Sequence, residues 1–120
     1  MFIVDDSAAI RARLTEMLAG LDNVDVVGEA ESSRQAIDGI LETRPDSVLL
    51  DLNLGTGNGI EVLRVVRARA PEIVFIVLTN HSEPQYRTAC HRAGARYFLD
   101  KSTEFDRVRE VIAEIASTRH

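Results

Sequence analysis

FIVDDSAAI, Phe2 to Ile10, runs from an apolar triplet through two adjacent carboxylates into a serine and then apolar residues at helical spacing: Ile10, Leu14, Met17, Leu18 and Leu21. The order describes a buried strand that ends on charge and turns into a helix capped by Ser7. The unit recurs at intervals of about 20 to 25 residues, with strands predicted at Phe2–Val4, Val24–Val27, Val48–Leu50, Ile73–Leu78 and Tyr97–Leu99. Between them, helical spacing returns at Ala36, Ile37, Ile40 and Leu41, at Ile60, Leu63 and Val66, and at Phe105, Val108, Val111, Ile112 and Ile115. A fourth helix carries Tyr86, Ala89, Cys90 and Ala93. Ser32 or Ser33, Ser82 and Thr103 are candidate caps, and Gly20 and Gly94 fall near helix ends. Strict alternation, with strands apolar throughout, predicts a parallel sheet covered by helices on both faces, an α/β three-layer sandwich. Ligands of such sheets bind beyond the carboxyl ends of the strands.

The chain has 120 residues, 45% hydrophobic and 28% charged, enough for one core, so residues 1–120 are read as one domain. No apolar run approaches the roughly 20 residues of a membrane span, and the apolar start is too short for a signal peptide; a cytoplasmic location is expected. The single Cys90 allows no internal disulfide and lacks zinc-type spacing, which leaves it as a small apolar residue. A formal net charge of −5 argues against direct nucleic-acid binding and for a protein partner or small ligand. Lys101 is the only lysine among 14 basic residues. An ammonium there, in a chain that otherwise uses arginine, marks a position where the two cations are not equivalent.

The residues at the strand ends are Asp5 and Asp6, then Glu29 and Glu31 about Ala30, then Asp51, Thr79 and Lys101. Each alone has a structural explanation, such as a cap, a turn or a surface charge. Together the fold gathers them on one rim. In this ordered set the whole chain resembles the receiver domains of two-component response regulators, through VDDS, LLDLNLGTGNG, VLTN and FLDKS. The resemblance implies a flavodoxin-like (CheY-like) five-stranded parallel sheet in the order 2-1-3-4-5. It also implies a phosphoacceptor at Asp51, with Mg²⁺ held by Asp5, Asp6, Asp51 and the backbone carbonyl of Asn53.

The resemblance further implies that Thr79 and Lys101 meet the phosphoryl oxygens, and that the aromatic whose movement follows Thr79 is by spacing Phe98, with Tyr97 its neighbour. Asn53 and His81 fall where relatives tune hydrolysis of the aspartyl phosphate, which is expected to be slow. The partners implied are a histidine kinase or phosphotransfer protein, a downstream protein or output domain on the surface of the fourth helix, fifth strand and fifth helix, and a phosphorylation-dependent homodimer.

The chemistry is coherent by itself. Adjacent acids at the end of a buried strand repel each other and lose hydration, and a divalent cation compensates both costs. Without metal, at least one carboxylate is expected to have a raised pKa. The fourth helix has a mostly small apolar set, so it is expected to be the most easily shifted. Three positions depart from the common family pattern. Ser102 replaces a proline that often follows a cis bond, which puts that geometry in doubt; Asn80 stands where a small residue is usual; and Phe98 lacks a hydroxyl.

DLNLGTGNGIEV is not a calcium loop, because Val62 replaces the final glutamate and Thr56 the central glycine. Its glycines instead suit a tight turn beside Asp51. Two rival functions are an aspartate-nucleophile phosphatase, for which neutral Asn53 supplies no acid or base, and an interaction module that is never phosphorylated.

Overall fold

The computed structural model describes residues 1–54 and 58–117. Five strands alternate with five helices: β1 (Phe2–Val4), α1 (Ala8–Leu18), β2 (Gly28–Ala30), α2 (Ser33–Thr43), β3 (Ser47–Leu50), α3 (Gly59–Arg69), β4 (Val74–Thr79), α4 (Pro84–Ala93), β5 (Tyr97–Asp100) and α5 (Arg107–Ser117). The strands form one parallel sheet in the order β2-β1-β3-β4-β5, so the three-layer flavodoxin-like arrangement is the one expected.

Alternation along each strand divides the apolar residues between two cores. Phe2, Val4, Val48, Leu50, Phe75, Val77 and Phe98 face α2, α3 and the Cys90 side of α4. Ile3, Leu49, Ile76, Leu78 and Leu99 face Leu14 and Leu18 of α1 and Val108, Val111, Ile112 and Ile115 of α5. Among the described residues, no helix is long and apolar enough to cross a membrane.

The second strand lies later than its β-branched run suggests, at Gly28–Ala30 instead of Val24–Val27. Pairing with β1 sets Gly28 beside Phe2, where a Cβ would stand 2.5 Å from the phenyl ring, so glycine fits and a valine does not. Val24 and Val26 pack instead against the α1–α5 core, and Val27 is 50% exposed.

Two capping expectations hold: Ser7 accepts from the Ile10 amide at 3.2 Å and Ser32 from that of Gln35 at 3.3 Å. Two do not. Helix α4 starts at Pro84, whose fixed φ suits the first helical position, with Glu83 rather than Ser82 at the cap. Thr103 lies in a turn gathered by Asp100, whose Oδ1 accepts from the amides of Ser102 (2.8 Å) and Thr103 (3.3 Å), and α5 begins four residues later.

Gly94 ends α4 at φ +107°, a left-handed value natural to glycine. Cys90 is the one buried residue of α4, whereas α3 buries Gly59, Val62, Leu63 and Val66. Tyr86 turns out of the apolar set and is 38% exposed. No cis peptide bond occurs among the described residues.

Candidate functional site

Strand register builds the site. Val4 and Leu50 are partners across β1 and β3, so the residues that follow them, Asp5 and Asp51, leave the sheet side by side. Backbone bonds continue the ladder past the strands: the Asp5 amide donates to Ala30 O (3.1 Å), that of Asp51 to Val4 O (3.0 Å) and that of Lys101 to Thr79 O (2.8 Å). β1 and β3 flank the point where strand order reverses, the crevice in which such sheets bind ligands.

Carboxylate oxygens of Asp5, Asp6 and Asp51 lie within 4.8 Å of one another. Asp5 and Asp51 are buried and Asp6 is exposed. Lys101 Nζ bridges the two buried acids, 2.7 Å from Asp5 Oδ2 and 3.0 Å from Asp51 Oδ2. The other oxygens are held by turns: Asp5 Oδ1 accepts from the Ser7 amide at 2.8 Å and Asp51 Oδ1 from that of Asn53 at 3.3 Å.

Burial pushes the Asp51 carboxyl above its ordinary value, against the opposing pull of Lys101 and with a contribution from the Asp5 charge, so the expectation of a raised carboxylate holds at Asp51. Burial works to lower the pKa of Lys101, but its hydrogen bond to Asp5 and the Asp51 charge outweigh it and the pKa rises. The three acids and one ammonium sum to a charge of −2, which a divalent cation cancels. Their hard oxygens, drawn from two adjacent loops, are the donor set Mg²⁺ prefers.

Asp5, Asp6, Asp51, Asn53, His81 and Lys101 line one cleft of about 490 Å³. Asn80, flagged from sequence, lies on it as well. Thr79 is fully buried and its Oγ1 accepts from the His81 amide at 3.1 Å, which leaves the hydroxyl proton free to be donated. The His81 ring meets Tyr86 of α4 at 5.6 Å between centroids. Phe98 is buried in the α2–α4 core with the Arg87 guanidinium 4.6 Å from its ring centroid, while Tyr97 packs on the opposite face.

Of the glycines expected to shape the turn after Asp51, Gly55 and Gly57 lie outside the described residues, as does Thr56. Gly59 shows the predicted close approach: a Cβ there would collide with the Asp51 carbonyl and stand 2.7 Å from the Leu52 Cα.

Arg11 escaped the sequence reading. Its Nη1 donates to the Asp5 carbonyl at 2.5 Å and its Nε to Glu29 Oε1 at 3.0 Å, tying the acid-bearing loop to β2. The Glu29 contact spans 18 residues, so no local pattern announces it.

The family model for the response regulator receiver domain matches residues 1–113. The DNA-binding transcriptional activator DevR/DosR of Mycobacterium tuberculosis is 30% identical over 119 residues, covering 99% of this chain and 55% of that protein. The regulatory protein LuxO of Vibrio cholerae is 33% identical over 111 residues, 92% of this chain and 24% of that protein. Against several such relatives the chain spans about half of their length.

Among solved structures, a LuxR-family response regulator from Aurantimonas is 27% identical with a TM-score of 0.89, covering 99% of this chain and 85% of that one. The receiver domain of AraT from Geobacillus stearothermophilus is 30% identical with a TM-score of 0.84, covering 98% and 92%. With the family model spanning nearly its whole length, this chain belongs to the response regulator receiver domains of two-component systems.

Proposed function

We propose that the chain is a Mg²⁺-dependent phosphoacceptor. An Asp51 carboxylate oxygen attacks the phosphorus of a phosphohistidine on a histidine kinase or phosphotransfer protein; the new O–P bond forms as the P–N bond breaks and the imidazole leaves. The observation that carries the reading is that Asp51 is buried with a second acid and one ammonium at a single strand-end cleft.

Asp5, Asp6, Asp51 and the Asn53 carbonyl would hold Mg²⁺, which supplies neutralisation of the phosphoryl oxygens. Lys101 exchanges a carboxylate for a phosphoryl oxygen, and Thr79 donates its free hydroxyl proton to another. Thr79 then draws the β4–α4 loop with it, and Phe98 repacks without a polar partner to gain or lose. The surface of α4, β5 and α5 changes and presents itself to an output domain, a downstream protein or a second copy. Sparse burial along α4 supports that choice of moving element.

Asn53 and His81, both on the cleft, set access of water to the aspartyl phosphate, whose hydrolysis is slow. The proposed location is the cytoplasm. DNA binding, named for the Mycobacterium relative, is not assigned to these residues, whose net charge is −5. Incubation with acetyl phosphate tests the reading: phosphoryl incorporation that needs Mg²⁺ and disappears in Asp51→Asn supports it. Incorporation that survives that substitution places the acceptor elsewhere, and turnover of unrelated phosphoesters favours a phosphatase.

A further inference from the structure

We infer that the groove between α3 and α4 is a docking site for an acidic segment of a partner protein. Arg64 and Arg67 of α3 and Arg92 of α4 line it, over a floor of Ala68, Ala89 and Ala93. No acidic residue lines this groove, and among the described residues no ion pair joins Arg64 or Arg92 to a carboxylate. A chain with a net charge of −5 thus gathers three guanidinium groups around one cleft of about 510 Å³.

Complementing helix dipoles accounts for only part of this. Arg67 and Arg92 sit in the last turns of their helices, where cations are favoured, but Arg64 stands before the last turn, beyond the reach of that effect. Arg67 is also preorganised. Its Nη1 donates to the Gly94 carbonyl at 3.3 Å, and its guanidinium lies so close to Gly94 that any Cβ there would collide with it. One of its five donors is thereby used, which leaves four that a carboxylate can take. The alanine floor lets an incoming backbone approach closely, and small floors between charged walls favour a peptide over a bulky base.

The overall negative charge gives the same preference, since it repels a long polyanion more than a short acidic segment. The site is distinct from the phosphoacceptor cleft. Helices of this sheet run back against the strands, so the C-terminal halves of α3 and α4 lie toward the amino ends of the strands, away from Asp51 at their carboxyl ends. An acidic segment seated there would bridge α3 to α4, the helix with the fewest buried residues among the described ones.

The test is an amide NMR titration of the whole chain with hexaglutamate at low salt, repeated on Arg64→Gln/Arg92→Gln and with a duplex oligonucleotide. Arg67 is kept because it packs on Gly94, and the variant's own spectrum reports that it is folded. Expected are saturable shifts confined to residues 64–68 and 89–94, with binding about tenfold weaker in the double variant, the loss of two exposed charge contacts. Shifts that do not saturate, that centre elsewhere or that persist in the variant overturn the inference, as does tighter binding of the duplex in the same groove.

Discussion

Replacing Lys101 by Met removes the ammonium and keeps most of its apolar stem. Lys101 Nζ is the cation between Asp5 and Asp51, whose side chains are only 3% and 7% exposed. Removing one partner of a buried ion pair costs about 3–5 kcal/mol, because a charge stays buried without compensation. Protonation limits that cost: neutralising one carboxylate at pH 7 against an unfolded value of about 3.9 takes about 4 kcal/mol. The expected loss in metal-free buffer at pH 7 is therefore about 3–4 kcal/mol by urea unfolding, or about 15 °C in Tm for a chain of this size.

The sign with pH follows from the raised carboxylate. Its protonated form contributes stability that is fully present below about pH 3.9 and is lost as pH rises through the higher folded value, so the deficit of the variant shrinks toward pH 4 and grows toward pH 7. If the variant binds Mg²⁺ at the proposed site, a concentration about a hundred times the dissociation constant is expected to stabilise it by about 2.7 kcal/mol, most of its loss relative to the metal-free wild-type chain. A loss below about 1 kcal/mol at pH 7, or one independent of pH, refutes the reasoning.

Gly59→Ala is expected to destabilise by about 1–3 kcal/mol in the same unfolding assay, because the new Cβ meets backbone of Asp51 and Leu52 that cannot move aside like a side chain. Burial pushes the Cys90 thiol up to about 11, so it should resist a thiol reagent at pH 8 until urea unfolds the chain. Bonds from the Ser102 side chain, first, then from Ser82 and nearby amides hold Asp100 down at about 2. Stability from its ionised form is present above about pH 3.9 and is lost as pH falls toward 2, and Asp100→Asn should flatten that part of the stability–pH curve.

The alternation of apolar triplets with helical spacing was enough to place β1, β3 and β4 between helices, because these strands are buried along almost their whole length and show no polar alternation to confuse the pattern. The second strand shows where this fails. Val24–Val27 has the stronger β composition, yet pairing is decided by whether a residue fits beside the Phe2 ring, and Gly28 does. Ser82 and Thr103 carry good capping side chains, but Pro84 and the Asp100 turn set the helix starts.

That the acids, Thr79 and Lys101 converge was legible because each ends a strand or comes just after one, and strand ends share one rim. Arg11 and the His81–Tyr86 contact were not, since both depend on which way a side chain turns after the backbone is placed. Tyr86, which helical spacing puts with the core, turns outward to His81 instead.

Whether one divalent ion draws residues from separate loops together can be read by adding Mn²⁺ in small amounts to the labelled protein and following paramagnetic broadening of its amide signals. Broadening should be strongest at Asp5, Asp6, Ser7, Asp51, Leu52 and Asn53, weaker at Lys101, displaced by excess Mg²⁺ and absent in Asp6→Ala/Asp51→Asn. Broadening centred on another acidic surface, or an unchanged pattern in that double variant, would contradict a shared metal site at the ends of β1 and β3.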